Sequence, residues 1–234
     1  MKTDLNNDVD TPTIGIIRVV TTDDTDYLET HARLISEHIQ SSKLKFVTEC
    51  IREFPDGIPN MAEERRAVPF VKETGMHLVQ EAKVDSLLVS CAADPGVLEL
   101  KQEVRVPVIG AGSASAFFSL MLGTRICVLG IEEKPPDIVQ DILGDSLVGY
   151  IKPSGVKTTY DVEKHRNEYI ELSNNMVIEK KADVVLLACT GMSTARLAPD
   201  LEQALGVPVV DPVITSGIVA YYAARGNAIR GGKK

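Results

Sequence analysis

The sequence predicts an α/β protein with two pseudo-symmetric parallel-sheet domains and an active site in the cleft between them. Short runs rich in Val and Ile alternate with segments of helical length, as in a chain of βαβ units. The strand-like runs are apolar throughout, which is typical of parallel strands covered on both faces. One strand–Cys unit occurs twice, ending once at Cys91 and once at Cys189.

The individual elements follow from hydrophobic periodicity. Buried strands are predicted from continuous apolar runs, and helices from apolar residues spaced three and four apart. Pro69 falls inside the second helix, where we expect a kink or a break. Strands are predicted at residues 13–20, 46–51, 84–90, 106–110, 125–130, 183–188 and 207–210. Helices are predicted at residues 26–40, 62–82, 95–103, 114–122, 135–143, 161–181, 195–205 and 213–224.

The internal repeat is the most informative feature of the chain. Residues 84–91 (VDSLLVSC) and 182–189 (ADVVLLAC) each contain an acidic turn residue, an apolar strand and a final Cys. Each unit is followed by a helix and a second short strand, at 105–110 and 206–211. Matching order of this kind indicates two copies of one structural unit related by a pseudo-twofold axis.

The repeat also predicts the domain boundaries. We expect a discontinuous first domain of residues 1–111 plus 212–234, and a second domain of residues 112–211. In this arrangement the last helix returns to pack on the first domain.

The composition is that of an ordinary globular protein, with 44% hydrophobic residues and a net charge of −8. An acidic chain does not provide the positive surface that nucleic acid requires. No apolar run reaches the length of a membrane span, and residues 1–12 lack the features of a signal peptide. We therefore expect a cytoplasmic protein with reduced cysteines and no nucleic-acid or membrane partner. The polar ends, residues 1–12 and 225–234, are expected to be disordered or frayed.

Cys91 and Cys189 are the predicted catalytic residues. Each lies one position past a predicted strand, and open parallel sheets bind ligands at the carboxyl ends of their strands. A helix beginning after each Cys should lower its pKa, and a thiolate is able to accept or return a proton near neutrality. Two thiols on opposite sides of one carbon are the minimum equipment for a racemase that needs no cofactor.

Core packing, zinc binding and a disulfide are the other roles open to these cysteines. A lone Cys is more often a buried core residue, and we give that interpretation to Cys50 and Cys127. A zinc site is disfavoured, since the chain has no CxxC pair and its four His are scattered. A disulfide between Cys91 and Cys189 is disfavoured because a substrate must fit between the two sulfur atoms. We therefore expect neither a metal nor a cofactor.

The segments around both cysteines resemble the aspartate/glutamate/hydantoin racemase superfamily, and most closely its hydantoin and allantoin racemase branch. Residues 91–96 (CAADPG) resemble the Cys-x-x-Asp-Pro-Gly of that branch, and 189–192 (CTGM) its Cys-(Ala/Thr)-Gly-Met. Residues 209–213 (VVDPV) resemble the segment before its last helix. The resemblance implies an isomerase that acts without a cofactor, usually through two cysteines in an interdomain cleft. It also implies a homo-oligomer, because relatives commonly oligomerise.

Several residues near the cysteines are predicted to bind the substrate. Thr190 and Gly191 follow the second Cys, where a hydroxyl and backbone N–H groups at a helix start would bind an anion or cap the helix. Ala92 follows the first Cys, where aspartate and glutamate racemases usually have a small polar residue. Arg18, near the end of the first strand, either clamps a substrate carboxylate or forms an ion pair. Asp94 is predicted to cap the helix that follows it.

The sequence departs from the family pattern in ways that bear on the substrate. The hydantoin branch tends to carry a Glu after the strand that ends here at Ile109, where residues 110–113 read GAGS. We expect a small anionic or carboxylate-bearing substrate of the hydantoin, allantoin or acidic amino-acid type. Two alternatives stay open. One is a decarboxylase or cis-trans isomerase like arylmalonate decarboxylase or maleate isomerase, and the other is a binder of small ligands without catalysis.

Overall fold

The computed structural model describes residues 11–41 and 43–229. Two four-stranded sheets form the framework, and all neighbouring strands in both are parallel. The first contains β1 (Thr13–Arg18), β2 (Lys45–Cys50), β3 (Ser86–Ser90) and β4 (Val108–Gly110), in the order β2-β1-β3-β4. The second contains β5 (Ile126–Leu129), β6 (Leu147–Ile151), β7 (Val184–Leu187) and β8 (Val209–Val210), in the order β6-β5-β7-β8. The α/β class and the pair of parallel sheets are confirmed.

Nine α-helices connect the strands within the described residues. They are α1 (Thr25–Ile39), α2 (Met61–Gln80), α3 (Val97–Glu103), α4 (Ala111–Leu122), α5 (Asp137–Leu143), α6 (Arg166–Lys180), α7 (Thr190–Thr194), α8 (Leu197–Leu205) and α9 (Pro212–Ile229). The two sheets share one strand order, so β1 corresponds to β5 and β3 to β7. This correspondence places Cys91 and Cys189 at the same point, each following the second central strand of its sheet.

Both faces of each sheet are covered by helices, which explains the continuous apolar runs. In the first sheet, Ile17 and Val89 pack toward α2 and α3, while Ile16 and Leu88 pack toward α1 and α9. The second sheet repeats this alternation, with one face against α6 and α8 and the other against α4 and α5.

Three sequence-based expectations need correction. The eighth strand, β6, was not predicted, because LVGYI mixes a glycine with half-buried residues at the sheet edge. Helix α2 continues through Pro69, whose ring is exposed, so the expected break is absent. Helix α9 extends to Ile229, so residues 225–229 are helical rather than frayed. The other expected disorder, in residues 1–10 and 230–234, lies outside the described residues.

Asp94 caps a different helix from the predicted one. Its carboxylate accepts hydrogen bonds from the backbone N–H groups of Gly112 (2.7 Å) and Ser113 (2.9 Å), in the first turn of α4. Helix α3 instead begins after Gly96, which has a left-handed φ of 71° and forms no side-chain cap. The residues after Cys91 are thereby fixed to the helix that follows the next strand, β4.

The second sheet makes an equivalent connection with different residues. Asp211 follows β8 and accepts hydrogen bonds from the N–H groups of Val213 (2.8 Å) and Ile214 (3.1 Å) at the start of α9. The same carboxylate oxygen accepts from the hydroxyl of Ser193 (2.7 Å), four residues after Cys189. Each cysteine segment is therefore fixed to the helix that follows the neighbouring strand.

The chain returns to the first sheet at its end. Helix α9 contacts α1, β3 and α4, and its Val213, Ala220 and Ala224 belong to the same core cluster as Ile16. The division into residues 1–111 plus 212–234 and residues 112–211 stays a prediction.

We expect Gly112→Ala to lower the free energy of unfolding by about 2–3 kcal/mol, because the added Cβ would overlap the carbonyl oxygen of Ala92. Gly206→Ala is the control: nothing lies within 4 Å of its Cβ, and only its left-handed φ of 66° opposes the change. That strain should cost about 1 kcal/mol. Chemical denaturation of both variants measures the difference, and equal losses would contradict the close-approach argument.

Candidate active site

A cleft of about 580 Å³, partly open to solvent, lies where the carboxyl ends of the two sheets face each other. Both Cys91 and Cys189 line it, as do Arg18 and Glu132. In register, Arg18 is paired with Ser90, the residue before Cys91, and Leu129 with Leu187, two residues before Cys189. The sheets thus bring the two predicted cysteines into one cavity, with side chains from β1 and from the loop after β5 beside them.

The two thiols have different local backbone settings. Cys189 is 8% exposed and occupies the N-cap position of α7, so its segment enters a helix at once. Cys91 is partly exposed and begins a turn closed by a hydrogen bond from Asp94 N–H to its carbonyl (3.1 Å). Helix α3 starts six residues later, at Val97 rather than at the predicted residue 95, and therefore does not place its N-terminus at the Cys91 thiol.

Burial raises the pKa of both thiols. For Cys91, desolvation of the thiolate is the largest cause, and it outweighs a hydrogen bond from the Ala93 N–H. Nearby acidic groups, Cys189 first among them, raise the pKa further because their ionised forms would repel a thiolate. For Cys189 desolvation again leads, opposed by the N–H groups of Gly191 and Met192 and by the Thr159 hydroxyl. Both thiols are therefore neutral at pH 7, contrary to the expected lowering of their pKa by a helix start.

The remaining cysteines lie away from the cleft lining. Cys127 is fully buried in the core between the second sheet and α6. Cys50 ends β2, and its thiol donates to the carbonyl oxygen of Thr22 at 3.6 Å. Cys127 thus has the core position predicted for it, whereas Cys50 is only partly buried at the end of an edge strand.

Arg18 is a buried cation at the wall of the cleft. It is 3% exposed, and its Nη1 donates to the carbonyl oxygens of Tyr27 and Leu28, both at 2.8 Å. Its guanidinium also lies 4.9 Å from the centre of the Tyr27 ring. Across the part of the chain that the structure describes, no carboxylate forms a salt bridge with Arg18. Burial lowers its pKa, the cost expected for a desolvated charge without a negative partner.

Ala92, Thr190 and Gly191 also line the cleft, as predicted for substrate-binding residues. The Thr190 hydroxyl does not cap α7, since it donates to the carbonyl oxygen of Ser90 at 3.3 Å. A Cβ on Gly191 would overlap the hydroxyl of Thr159, so this glycine permits the close approach of the 159–161 turn. Whether these three residues contact substrate stays a prediction.

Two segments from opposite sheets meet over the cleft. The Tyr160 hydroxyl donates to the carbonyl oxygen of Pro55 at 3.1 Å, which joins the 159–161 turn to the 55–60 loop. The rings of Tyr27 and Tyr160 lie 5.9 Å apart. Tyr27, Thr159 and residues 56–58 of these segments line the cleft together with the two cysteines.

Glu132 is a cleft residue that the sequence analysis did not identify. It lies three residues past β5, and the loss of water contact raises its pKa to about 7. The negative charges of Glu64 and Asp137 add to the rise, and Lys134 opposes it. Its position after a central strand was the available signal, because such positions face the cleft in parallel sheets.

His31 on α1 is buried, with 1% of its surface exposed, although the sequence analysis gave it no role. Its ring lies between Ser90 and Thr194, one residue near each cysteine segment. No hydrophobic periodicity separates such a histidine from an exposed one, since the partners come from distant parts of the chain.

The sequence was then compared with known protein families. Residues 14–216 match the family model described as Asp/Glu/Hydantoin racemase. The chain belongs to this family. The predicted resemblance is confirmed.

Individual members of the Asp/Glu/hydantoin racemase family show the extent of the similarity. The chain is 29% identical over 168 residues to the hydantoin racemase of Pseudomonas sp. (strain NS671), covering 68% of this chain and 66% of that protein, just under two thirds. The allantoin racemase from Klebsiella pneumoniae superposes with a TM-score of 0.78 at 20% identity, covering 90% of this chain and 86% of that one. A mutant of arylmalonate decarboxylase gives 0.65 at 19% identity, with coverages of 92% and 93%. The two structural matches establish the shared fold.

None of the described helices combines the length and the apolar character that crossing a bilayer requires.

We expect Glu132→Gln to stabilise the protein in a pH-dependent way. Between its ordinary pKa of 4.5 and its folded value of about 7, the folded state holds a proton that the unfolded state has released. Wild-type stability should therefore fall as pH rises through this window. The variant has no such proton, so its gain in Tm should be absent at pH 4, grow between pH 4.5 and 7, and level off above.

Thermal unfolding from pH 4 to pH 8 measures this gain. Glu133→Gln makes the same chemical change at an exposed neighbouring position. A matching gain there would show that net charge, rather than burial of Glu132, causes the effect.

Proposed function

We propose that this chain is a cofactor-independent racemase or epimerase of an amino-acid derivative, with Cys91 and Cys189 as its two proton-transfer groups. One observation carries the proposal: equivalent strand ends of two matching sheets bring both cysteines into one cleft. Two acid–base groups on opposite sides of one carbon invert its configuration, because the proton leaves from one face and another arrives at the opposite face.

One cysteine first releases its thiol proton to solvent, and its thiolate then removes the proton from the stereogenic carbon. The electron pair of the broken C–H bond moves into the adjacent carbonyl group and forms an enolate. The thiol of the other cysteine then donates its proton to the opposite face of that carbon, which restores the carbonyl and leaves a thiolate behind. The enantiomer offered decides which cysteine acts first, and the two protonation states are exchanged after one turnover.

The raised pKa of both thiols fits this chemistry. Protons next to a carbonyl group are weakly acidic, so a more basic thiolate brings the proton transfer closer to balance. The N–H groups of Ala93, Gly191 and Met192 stabilise a thiolate once it has formed. Activity should consequently rise as the pH increases beyond the ordinary thiol pKa.

Arg18 supports a substrate that carries a negative charge. A buried guanidinium without a carboxylate among the described residues would gain its missing partner from a substrate acid group. Ala92, Thr190 and Gly191 line the same cleft, and we expect them to contact the substrate. Among the hydantoin, allantoin and acidic amino-acid types, this feature favours the anionic ones. A cytoplasmic location and a homo-oligomeric assembly stay predictions.

Replacing either cysteine by serine should lower racemisation on the order of 10²–10⁴-fold, since a hydroxyl is a much weaker acid–base group than a thiol. Wild type, Cys91→Ser and Cys189→Ser are incubated with single enantiomers in D2O, and optical rotation is followed together with deuterium entry by NMR. Cys127→Ser serves as the control outside the cleft. Unchanged turnover in both cleft variants would contradict the two-thiol mechanism.

The same experiment separates the alternative activities. A decarboxylase would release CO2 and would depend on only one of the two cysteines. A binder without catalysis would show thermal shifts with small carboxylates or hydantoins and no deuterium entry with any of them.

Arg18→Lys should raise the KM for carboxylate-bearing substrates roughly 10- to 100-fold, because lysine keeps the charge but loses the planar pair of donors. The KM for neutral hydantoins should change little. Arg33→Lys makes the same substitution on the exposed face of α1 and should leave both values as in wild type. Steady-state kinetics with both substrate classes measures the difference, and equal changes for the two classes would argue against a carboxylate clamp.

A further inference from the structure

A histidine outside the cleft lining connects the two cysteine segments. His31 lies on α1, and its Nδ1 is 2.8 Å from the hydroxyl oxygen of Ser90, the residue before Cys91. Its Nε2 is 3.0 Å from the hydroxyl oxygen of Thr194, at the end of the short helix that begins after Cys189. One buried ring therefore contacts both halves of the candidate site.

One tautomer of His31 allows all of these contacts at the same time. In that tautomer, the Thr194 hydroxyl donates its single proton to the carbonyl oxygen of Thr190 (3.4 Å) and accepts from His31 Nε2–H. The Nδ1 atom is then unprotonated and accepts from the Ser90 hydroxyl. The Thr190 hydroxyl donates to the Ser90 carbonyl oxygen (3.3 Å), so the hydrogen bonds form a closed set that returns to Ser90.

We call this closed set of hydrogen bonds among Ser90, His31, Thr194 and Thr190 the His31 network. It crosses twice between the two cysteine segments. Burial and the positive charge of Arg18 hold the pKa of His31 well below 6.5, so the imidazole stays neutral and keeps one donor and one acceptor. A neutral ring in a fixed tautomer suits a permanent link better than a proton-transfer group.

We propose that His31 is a positioning residue that sets the separation and alignment of the Cys91 and Cys189 thiols. This inference rests on the proposed two-thiol racemisation. Ser90 and Thr190 are each bonded in sequence to one of the cysteines, so a shift of either segment changes the distance between the sulfur atoms. A racemase requires both thiols to be aligned with one carbon at the same time, and small misplacements of reacting groups are costly.

Misalignment has a kinetic signature that loss of stability does not share. When the second thiol is out of line, the first thiol exchanges its proton for a deuteron from D2O and delivers that deuteron to the face from which the proton was removed. Deuterium then enters the recovered starting enantiomer without inversion. The ratio of deuterium in the starting enantiomer to deuterium in the inverted product therefore reports the alignment of the two thiols.

The test uses the full chain with paired substitutions in D2O. Thr194→Val removes the hydroxyl that joins His31 to the second segment, while Thr194→Ser retains it. Thr215→Val is the matched control, because the Thr215 hydroxyl also donates to the carbonyl four residues earlier, that of Asp211, but lies outside the His31 network. His31→Leu removes both links at once.

We expect Thr194→Val and His31→Leu to lower kcat roughly tenfold or more with a smaller change in KM, and to raise the deuterium ratio severalfold. Thr194→Ser and Thr215→Val should keep the wild-type ratio. An unchanged ratio in Thr194→Val, or an equal increase in Thr215→Val, would overturn the proposal.

A measurement without turnover keeps the two proposals apart. Alkylation of Cys91 and Cys189 by iodoacetamide, followed by mass spectrometry, should be faster in Thr194→Val and His31→Leu than in Thr215→Val. If wild type inverts no substrate while this difference persists, the racemase proposal fails and the positioning role stands. If racemisation depends on both cysteines but the alkylation rates and the ratio match the control, the positioning role fails alone.

Discussion

The geometry of the cleft depends on how each cysteine segment is anchored to the helix after the neighbouring strand. On the first sheet, the Asp94 carboxylate accepts from two N–H groups of α4. On the second, Ser193 donates to Asp211, which in turn accepts from the start of α9. These buried, charge-assisted hydrogen bonds are costly to break, so they hold both loops rigidly at the strand ends. The two sheets thus anchor their cysteine segments in the same way, with different residues.

A second balance concerns the burial of charge in the cleft. Desolvation raises the pKa of both thiols and of Glu132, and lowers that of Arg18. A bound substrate therefore changes the free energy of ionising each of these four groups. A cleft of this kind is sensitive to the charge of its occupant, since electrostatic interactions strengthen as water is excluded. Because a bound substrate excludes water from the cleft, its binding also changes the free energy of forming a thiolate.

Much of the architecture could be predicted from periodicity and from the repeat, because burial of a parallel strand on both faces leaves a continuous apolar run. Strand β6 could not, since an edge strand is half exposed and its composition is mixed. The cap formed by Asp94 was assigned to the wrong helix for a related reason. An Asp before a Pro is a local signal, whereas the N–H groups that it binds are 18 and 19 residues away.

The sequence by itself determined the α/β class, the family and the equivalence of Cys91 with Cys189, because all three are recorded in local pattern and repeated order. Only the tertiary structure decided which polar groups share the cleft and what charge they carry. The surroundings of Glu132, His31 and Arg18 depend on neighbours from other segments of the chain, and the pKa of each thiol depends on the water that those neighbours exclude. Such effects arise from distances between segments far apart in the chain, which no local pattern encodes.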